Sequence, residues 1–254
     1  MKNRHFGVRH IVLESLSKSN QPVGLRVELD SNQVAHYLKV LRFEDGQKVH
    51  ATDGKGNLYE GVFHKKGPQS YIEIGRSLLK EQRPLELELI IGFSKNSTMD
   101  DVVEKATELG VLVIQPVVCV RSVVQPSEYE KYYNRWKKIV ISALEQSEGV
   151  FLPELRPILT LRDWVLMKKN SKIVACVSEG RAQMKLPLAI ESLESFRKEP
   201  ISLVVGPEGG FTEEERSLFD ENGVISVSLG TRVLRVATAV TSILTLAQSM
   251  RVWR

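Results

Sequence analysis

Two stretches of this chain have residue types and spacing suited to holding a small molecule. The first is Leu203-Val204-Val205-Gly206-Pro207-Glu208-Gly209-Gly210-Phe211-Thr212-Glu213-Glu214-Glu215, an apolar run breaking into a glycine-rich turn. Glycine lets backbone amides and carbonyls approach a ligand closely, and ligands of open α/β sheets sit just beyond strand carboxyl ends. Val205, Gly206, Pro207, Glu208, Gly209 and Gly210 are therefore candidate binding residues, although a plain tight turn fits the same letters. The second is Ser228-Leu229-Gly230-Thr231-Arg232-Val233-Leu234-Arg235-Val236-Ala237-Thr238-Ala239. Here Leu229, Gly230 and Leu234 repeat the strand-to-turn pattern. Arg232 and Arg235 suit bidentate contact with a phosphate or a base edge, with a solvated basic loop as the alternative.

Other chemistry lacks its residues. All five histidines, His5, His10, His36, His50 and His64, precede residue 65. The region holding the two glycine turns therefore has no Ser-His-Asp or Cys-His catalysis and no histidine metal site. No G-x-x-x-x-G-K-S/T loop and no G-x-G-x-x-G turn follows a strand, which counts against NTPases and Rossmann dehydrogenases. Cys119 and Cys176 each sit in an apolar strand-like run and read as core residues rather than metal ligands.

The elements that must position these residues show in the rhythm of the chain. Strand-like runs recur at Leu85–Gly92, Val111–Val120, Ile173–Val177, Leu203–Gly206 and Val224–Leu229, with helical patterns between them. In Met99–Leu109 the apolar Met99, Val102, Val103, Ala106 and Leu109 share one face, with Asp100, Asp101, Glu104, Lys105 and Glu108 opposite. Thr212 and Glu215 have capping-box spacing, and Asn222-Gly223 closes the helix they open. This alternation predicts an α/β domain with a mainly parallel sheet. The last helix, about Thr238 to Val252, is apolar over a wide arc, which predicts burial or a subunit interface.

The first part of the chain differs. A short helical pattern at Ser31–Leu41 is followed by alternating runs at Gln47–Thr52, Leu58–His64 and Ser70–Ile74, separated by turn residues. Such spacing predicts a small antiparallel barrel. A polar stretch, Lys80 to Pro84, reads as the linker. Domains are therefore expected at 1–80 and 85–254.

The 254 residues carry a net charge of +4, unevenly spread. Residues 1–80 hold 13 Lys and Arg against 8 Asp and Glu, and the remainder 22 against 23. A basic first region suggests a polyanionic partner, or only a solvated surface. With 42% hydrophobic and 26% charged residues a folded core is expected. No apolar run approaches the roughly 20 residues of a bilayer span. Met1–Arg9 is basic without a signal-peptide apolar stretch, so a cytoplasmic protein with no membrane partner is expected.

Taken with their order, these motifs resemble the RsmE family of 16S rRNA uridine-N3 methyltransferases, in the SPOUT superfamily. Besides the two glycine turns, Lys95 with Met99–Gly110, Arg121-Ser122, Arg135-Trp136 through Glu145-Gln146-Ser147 with Pro153, Arg4-His5-Phe6, and Leu38–Arg42 with Gly46 carry the resemblance, which covers about residues 4–250. It implies a PUA-like RNA-binding β-barrel followed by a trefoil-knotted α/β domain. It also implies S-adenosyl-L-methionine as methyl donor, 16S rRNA of the small ribosomal subunit as partner, and a homodimer. Arg232, Arg235 and Thr238 are then the catalytic group, and Arg4, Lys39, Arg42, Lys95 and Arg121 the RNA contacts, with no metal. Four positions depart from the family pattern in motifs near the expected site: Thr98, Gly149, Thr231 and Ala237. A non-catalytic RNA-binding ribosome-assembly factor on the same scaffold is the alternative reading, and catalytic turnover on RNA separates the two. A small-molecule nucleotide-binding enzyme would leave the basic first region unexplained.

Overall fold

The computed structural model describes residues 8–19, 21–81, 86–123, 129–168, 172–177, 182, 184–185 and 200–252. Two compact units emerge: residues 1–83 together with 144–152, and residues 84–143 together with 153–254.

The first unit is built on β1 (Arg9–Val12), β2 (Arg26–Glu28), β3 (Lys48–Thr52), β4 (Asn57–His64) and β5 (Tyr71–Lys80), in the order β1-β3-β4-β5-β2. The alternating burial of β4 points Tyr59, Gly61 and Phe63 inward, onto Val49, Ala51 and Ile72. One pair departs from the antiparallel expectation: β1 runs parallel to β3, because the chain reaches β3 only after β2 and a helix. That helix, α1 (Ser31–Ala35), is shorter than its sequence pattern and continues as a π turn over His36–Val40. Asp30 and Gln33 cap it reciprocally. Arg42 follows the π turn with φ 56.

The residues 144–152 are held to this sheet by long-range hydrogen bonds. Gly56 N donates to Val150 O at 2.9 Å and Leu152 N to Gly54 O at 2.8 Å. His10 Nε2 donates to Gly149 O at 2.9 Å, and burial holds its imidazole below the ordinary value. Gly56 has φ +98, and a Cβ there would fall 2.6 Å from Glu81 O and 2.7 Å from the Phe151 ring. Only glycine fits that corner.

The second unit alternates β6 (Leu87–Gly92), α2 (Asn96–Glu108), β7 (Val113–Val118), α3 (Tyr129–Ser147), β8 (Glu154–Leu155), β9 (Leu159–Thr160), α4 (Leu161–Met167), β10 (Lys172–Cys176), β11 (Met184–Lys185), β12 (Ile201–Val205), α5 (Glu213–Glu221), β13 (Ile225–Ser228) and α6 (Val236–Val252). The sheet order is β11-β13-β10-β12-β6-β7-β8, with β9 also on β7, and every described pair is parallel. Strands β6 and β12 are buried at every residue, as a parallel sheet covered on both faces requires. Helix α6 packs on α2. Its Val240, Ile243, Leu244 and Ala247 are fully buried within the chain itself, which accounts for much of the wide apolar arc. The helix begins at Val236, two residues before its sequence pattern. At the amino ends of β6 and β12, buried Glu88 accepts from Ser202 Oγ at 2.6 Å and pairs with Arg156 at 2.8 Å and Lys168 at 2.9 Å.

Candidate active site

The opposite, carboxyl ends of the strands open onto a cavity of about 1030 Å³ in the second unit. Residues following β6, β7, β10, β12 and β13 all contribute to its lining, the placement expected for a ligand of an open α/β sheet. Two glycine turns form much of the wall.

The first turn leaves β12 at Val205 and runs to Thr212. Gly210 N donates to Pro207 O at 2.8 Å and closes it. A Cβ at Gly92 would stand 2.5 Å from Pro207 N, so the end of β6 must be glycine for the turn to pass. Arg121 Nη1 donates to Gly209 O at 2.9 Å and Phe211 O at 3.4 Å, and Lys95 N donates to Glu208 Oε1 at 3.4 Å. Gly210 has φ +67 with open space where a Cβ would stand. Thr212 then caps α5 in the expected box. Buried Glu215 uses both oxygens: Oε2 accepts from Thr212 N and Oε1 from Val120 N, each at 2.8 Å. One carboxylate thus ties the glycine turn to the end of β7.

The second turn leaves β13. Leu229, Gly230, Arg232, Leu234 and Arg235 line the cavity, and Gly230 has φ +129 with open space beside it. Arg232 and Arg235 are exposed, and among the described residues their side chains make no hydrogen bond or ion pair. Val233 between them is 91% exposed. Lys95, Ser97, Thr98 and Asp101 face the same space from the start of α2. Cys176, expected in the core, instead lines the cavity half-buried, and burial pushes its thiol up to about 11. Cys119 is buried, as expected, and its thiol is pushed up by burial. Among the described residues no cluster of His, Cys, Asp or Glu is placed to hold a metal ion.

Two family models match the chain. Residues 81–248 match the RNA methyltransferase domain, and residues 29–72 match the RNA methyltransferase PUA domain. The chain belongs to the RNA methyltransferase family. The ribosomal RNA small subunit methyltransferase E of Synechocystis is 30% identical over 87% of this chain and 72% of its own length. The protein of that name from Neisseria gonorrhoeae, crystallised bound to S-adenosyl methionine, is 31% identical with a TM-score of 0.82, covering 96% of this chain and 98% of that one. A Legionella pneumophila protein in complex with the bound cofactor SAM is 27% identical with a TM-score of 0.85, at the same coverage. This RNA methyltransferase thus joins a PUA domain to a SPOUT-type α/β domain.

The RNA methyltransferase fold gathers most of the sequence-derived site residues, but not all. Val205 to Gly210, Leu229, Gly230, Leu234, Arg232, Arg235, Lys95 and Arg121 surround one cavity. Thr238 is exposed on the first turn of α6 and is not in the lining. Lys39 and Arg42 are exposed in the first unit, and Arg4 lies outside the described residues. Of the four departing positions, Thr98 and Ala237 line the cavity and Thr231 does not. Gly149 belongs to the first unit, where its carbonyl accepts from His10 Nε2. Arg121 holds the glycine turn through two carbonyls, a use its expectation as an RNA contact did not include. Asp101 was read only as part of a polar helix face; no pattern in the sequence distinguishes it from Asp100, which pairs with Arg135.

Proposed function

We propose that this RNA methyltransferase transfers a methyl group from S-adenosyl-L-methionine to N3 of a uridine in the 16S rRNA of the small ribosomal subunit. One observation carries the reading: a cavity at strand carboxyl ends joins two glycine turns to two arginines with unused side-chain donors. The turns fit the donor. Gly210 and Gly230 leave open space where a side chain would stand, and Val205, Leu229 and Leu234 offer apolar contact to an adenine. The donor-bound Neisseria gonorrhoeae and Legionella pneumophila relatives support the same choice. Bound there, the donor supplies a methyl already activated on its sulfonium.

The residues then have to align uridine N3 with that methyl and favour loss of its proton. Arg232 and Arg235 stabilise the negative charge that develops on the uracil carbonyl oxygens once bound RNA covers their exposed guanidiniums. Lys39 and Arg42, with Arg4 and Lys95, contact RNA phosphates and set its register. The same reading gives a homodimer, acting in the cytoplasm, with the trefoil knot of the SPOUT fold and domains at 1–80 and 85–254. Arg235→Ala tests the catalytic assignment. Methyl transfer should fall on the order of a hundredfold, with donor affinity by calorimetry nearly intact. Full-speed transfer by that variant moves the charge-stabilising role to Arg232.

A further inference from the structure

Methylating a uridine at N3 requires that the N3 proton go somewhere, and the arginines offer no acceptor for it. Around the cavity the described residues supply two carboxylates, Asp101 and Glu208. Glu208 is engaged by the backbone N–H of Lys95 at the entrance to α2. Asp101 differs. It is exposed on the first turns of α2, and its side chain makes no hydrogen bond or ion pair among the described residues. Its neighbour Asp100 is turned away into an ion pair with Arg135. The remaining polar groups are poor bases: Cys176 keeps its proton through burial, the unit contains no histidine, and the rest are cations or hydroxyls.

We infer that Asp101 is the general base of the reaction, accepting the N3 proton of the target uridine. The inference rests on the uridine-N3 reading above. In the step, the Asp101 carboxylate takes the proton and the N–H electron pair stays on N3. That pair forms the new N–C bond as the methyl leaves sulfur. The S–C pair returns to sulfur, leaving a neutral thioether, and the Asp101 carboxylic acid then releases its proton to water. Arg232 and Arg235 across the cavity make N3 more acidic by stabilising the uracil oxygens, which brings the proton within reach of a carboxylate. On α2 the charged neighbours of Asp101 are Asp100, Glu104 and Lys105. Lys105 is paired with Glu104 and Glu108, and its ammonium also interacts with the Asp101 charge at longer range. Lys95 faces the cavity from the same end.

The test compares wild type, Asp101→Asn and Asp101→Glu on purified small subunits with S-adenosyl-L-methionine, reading N3-methyluridine by mass spectrometry across a pH series. Asp101→Asn should lose roughly a hundredfold in kcat at neutral pH, the usual contribution of a positioned base. KM for donor and RNA and the melting temperature should stay near wild type, because the residue is exposed and its side chain holds no hydrogen bond among the described residues. The deficit should shrink as pH rises and hydroxide takes over, and Asp101→Glu should recover part of the rate. Wild-type kcat in the Asn variant, or a deficit equal at every pH, overturns the assignment and leaves the uridine reading standing. A wild-type enzyme that makes no N3-methyluridine overturns both.

Discussion

Gly209 matters because of the side chain packed against it. A Cβ there would lie 2.9 Å from Arg121 Cβ and 3.3 Å from its Cδ, so a larger residue displaces Arg121 before it meets any ligand. Displacing Arg121 frees the carbonyls of Gly209 and Phe211 that its Nη1 holds. Gly209→Val and Arg121→Ala should each weaken donor binding on the order of tenfold, about 1.4 kcal/mol, the scale of a lost hydrogen bond or two. The double variant should be no weaker than the worse single one, because both break the same contact. Additive losses by calorimetry would mean that valine blocks the ligand directly. From the sequence, Gly209 is legible as a turn residue but its partner is not, since Arg121 lies 88 residues away.

At the scale of elements, rhythm revealed what is local. The strand-to-turn transitions at Val205 and Ser228 and the Thr212 cap follow from apolar runs, glycine and capping chemistry within a few residues. Strands β1 and β2, of four and three residues, are too short to show a period. The end of α3 shows the same limit. Glu145 reads as one more residue of a helix, yet its Oε1 accepts from Val12 N at 3.0 Å across 133 residues of chain. Burial pushes its carboxyl up to about 7 from 4.5. The folded first unit therefore binds this proton more tightly than the unfolded chain does. Its contribution to stability is full below pH 4.5 and is lost as pH rises through about 7. The loss amounts to as much as about 3 kcal/mol. Melting temperature should thus decline between pH 5 and pH 8 in wild type, and Glu145→Gln, which keeps an acceptor for Val12, should flatten that decline. A slope unchanged by the substitution would assign it to other groups.

In the second unit, the sheet separates structure from chemistry by its two ends. The amino ends bury Glu88 among Arg156, Lys168 and Ser202, while the carboxyl ends carry the cavity. Alternation of strand and helix made that parallel sheet legible, and parallel strands put every following turn at one end, so the two glycine turns fall at the same end of the sheet. The strand order that sets β10 between β12 and β13 was not legible, because all the central strands are equally apolar. Nor does a pattern of letters give the atom that is methylated. Purified small subunits from cells lacking this enzyme, treated with it and with S-adenosyl-L-methionine bearing a deuterated methyl, test that claim most directly through mass spectrometry of the 16S rRNA nucleosides. The label should appear as N3-methyluridine. Labelled methyl on a ribose oxygen, on a base carbon or nowhere, with donor bound, would contradict it.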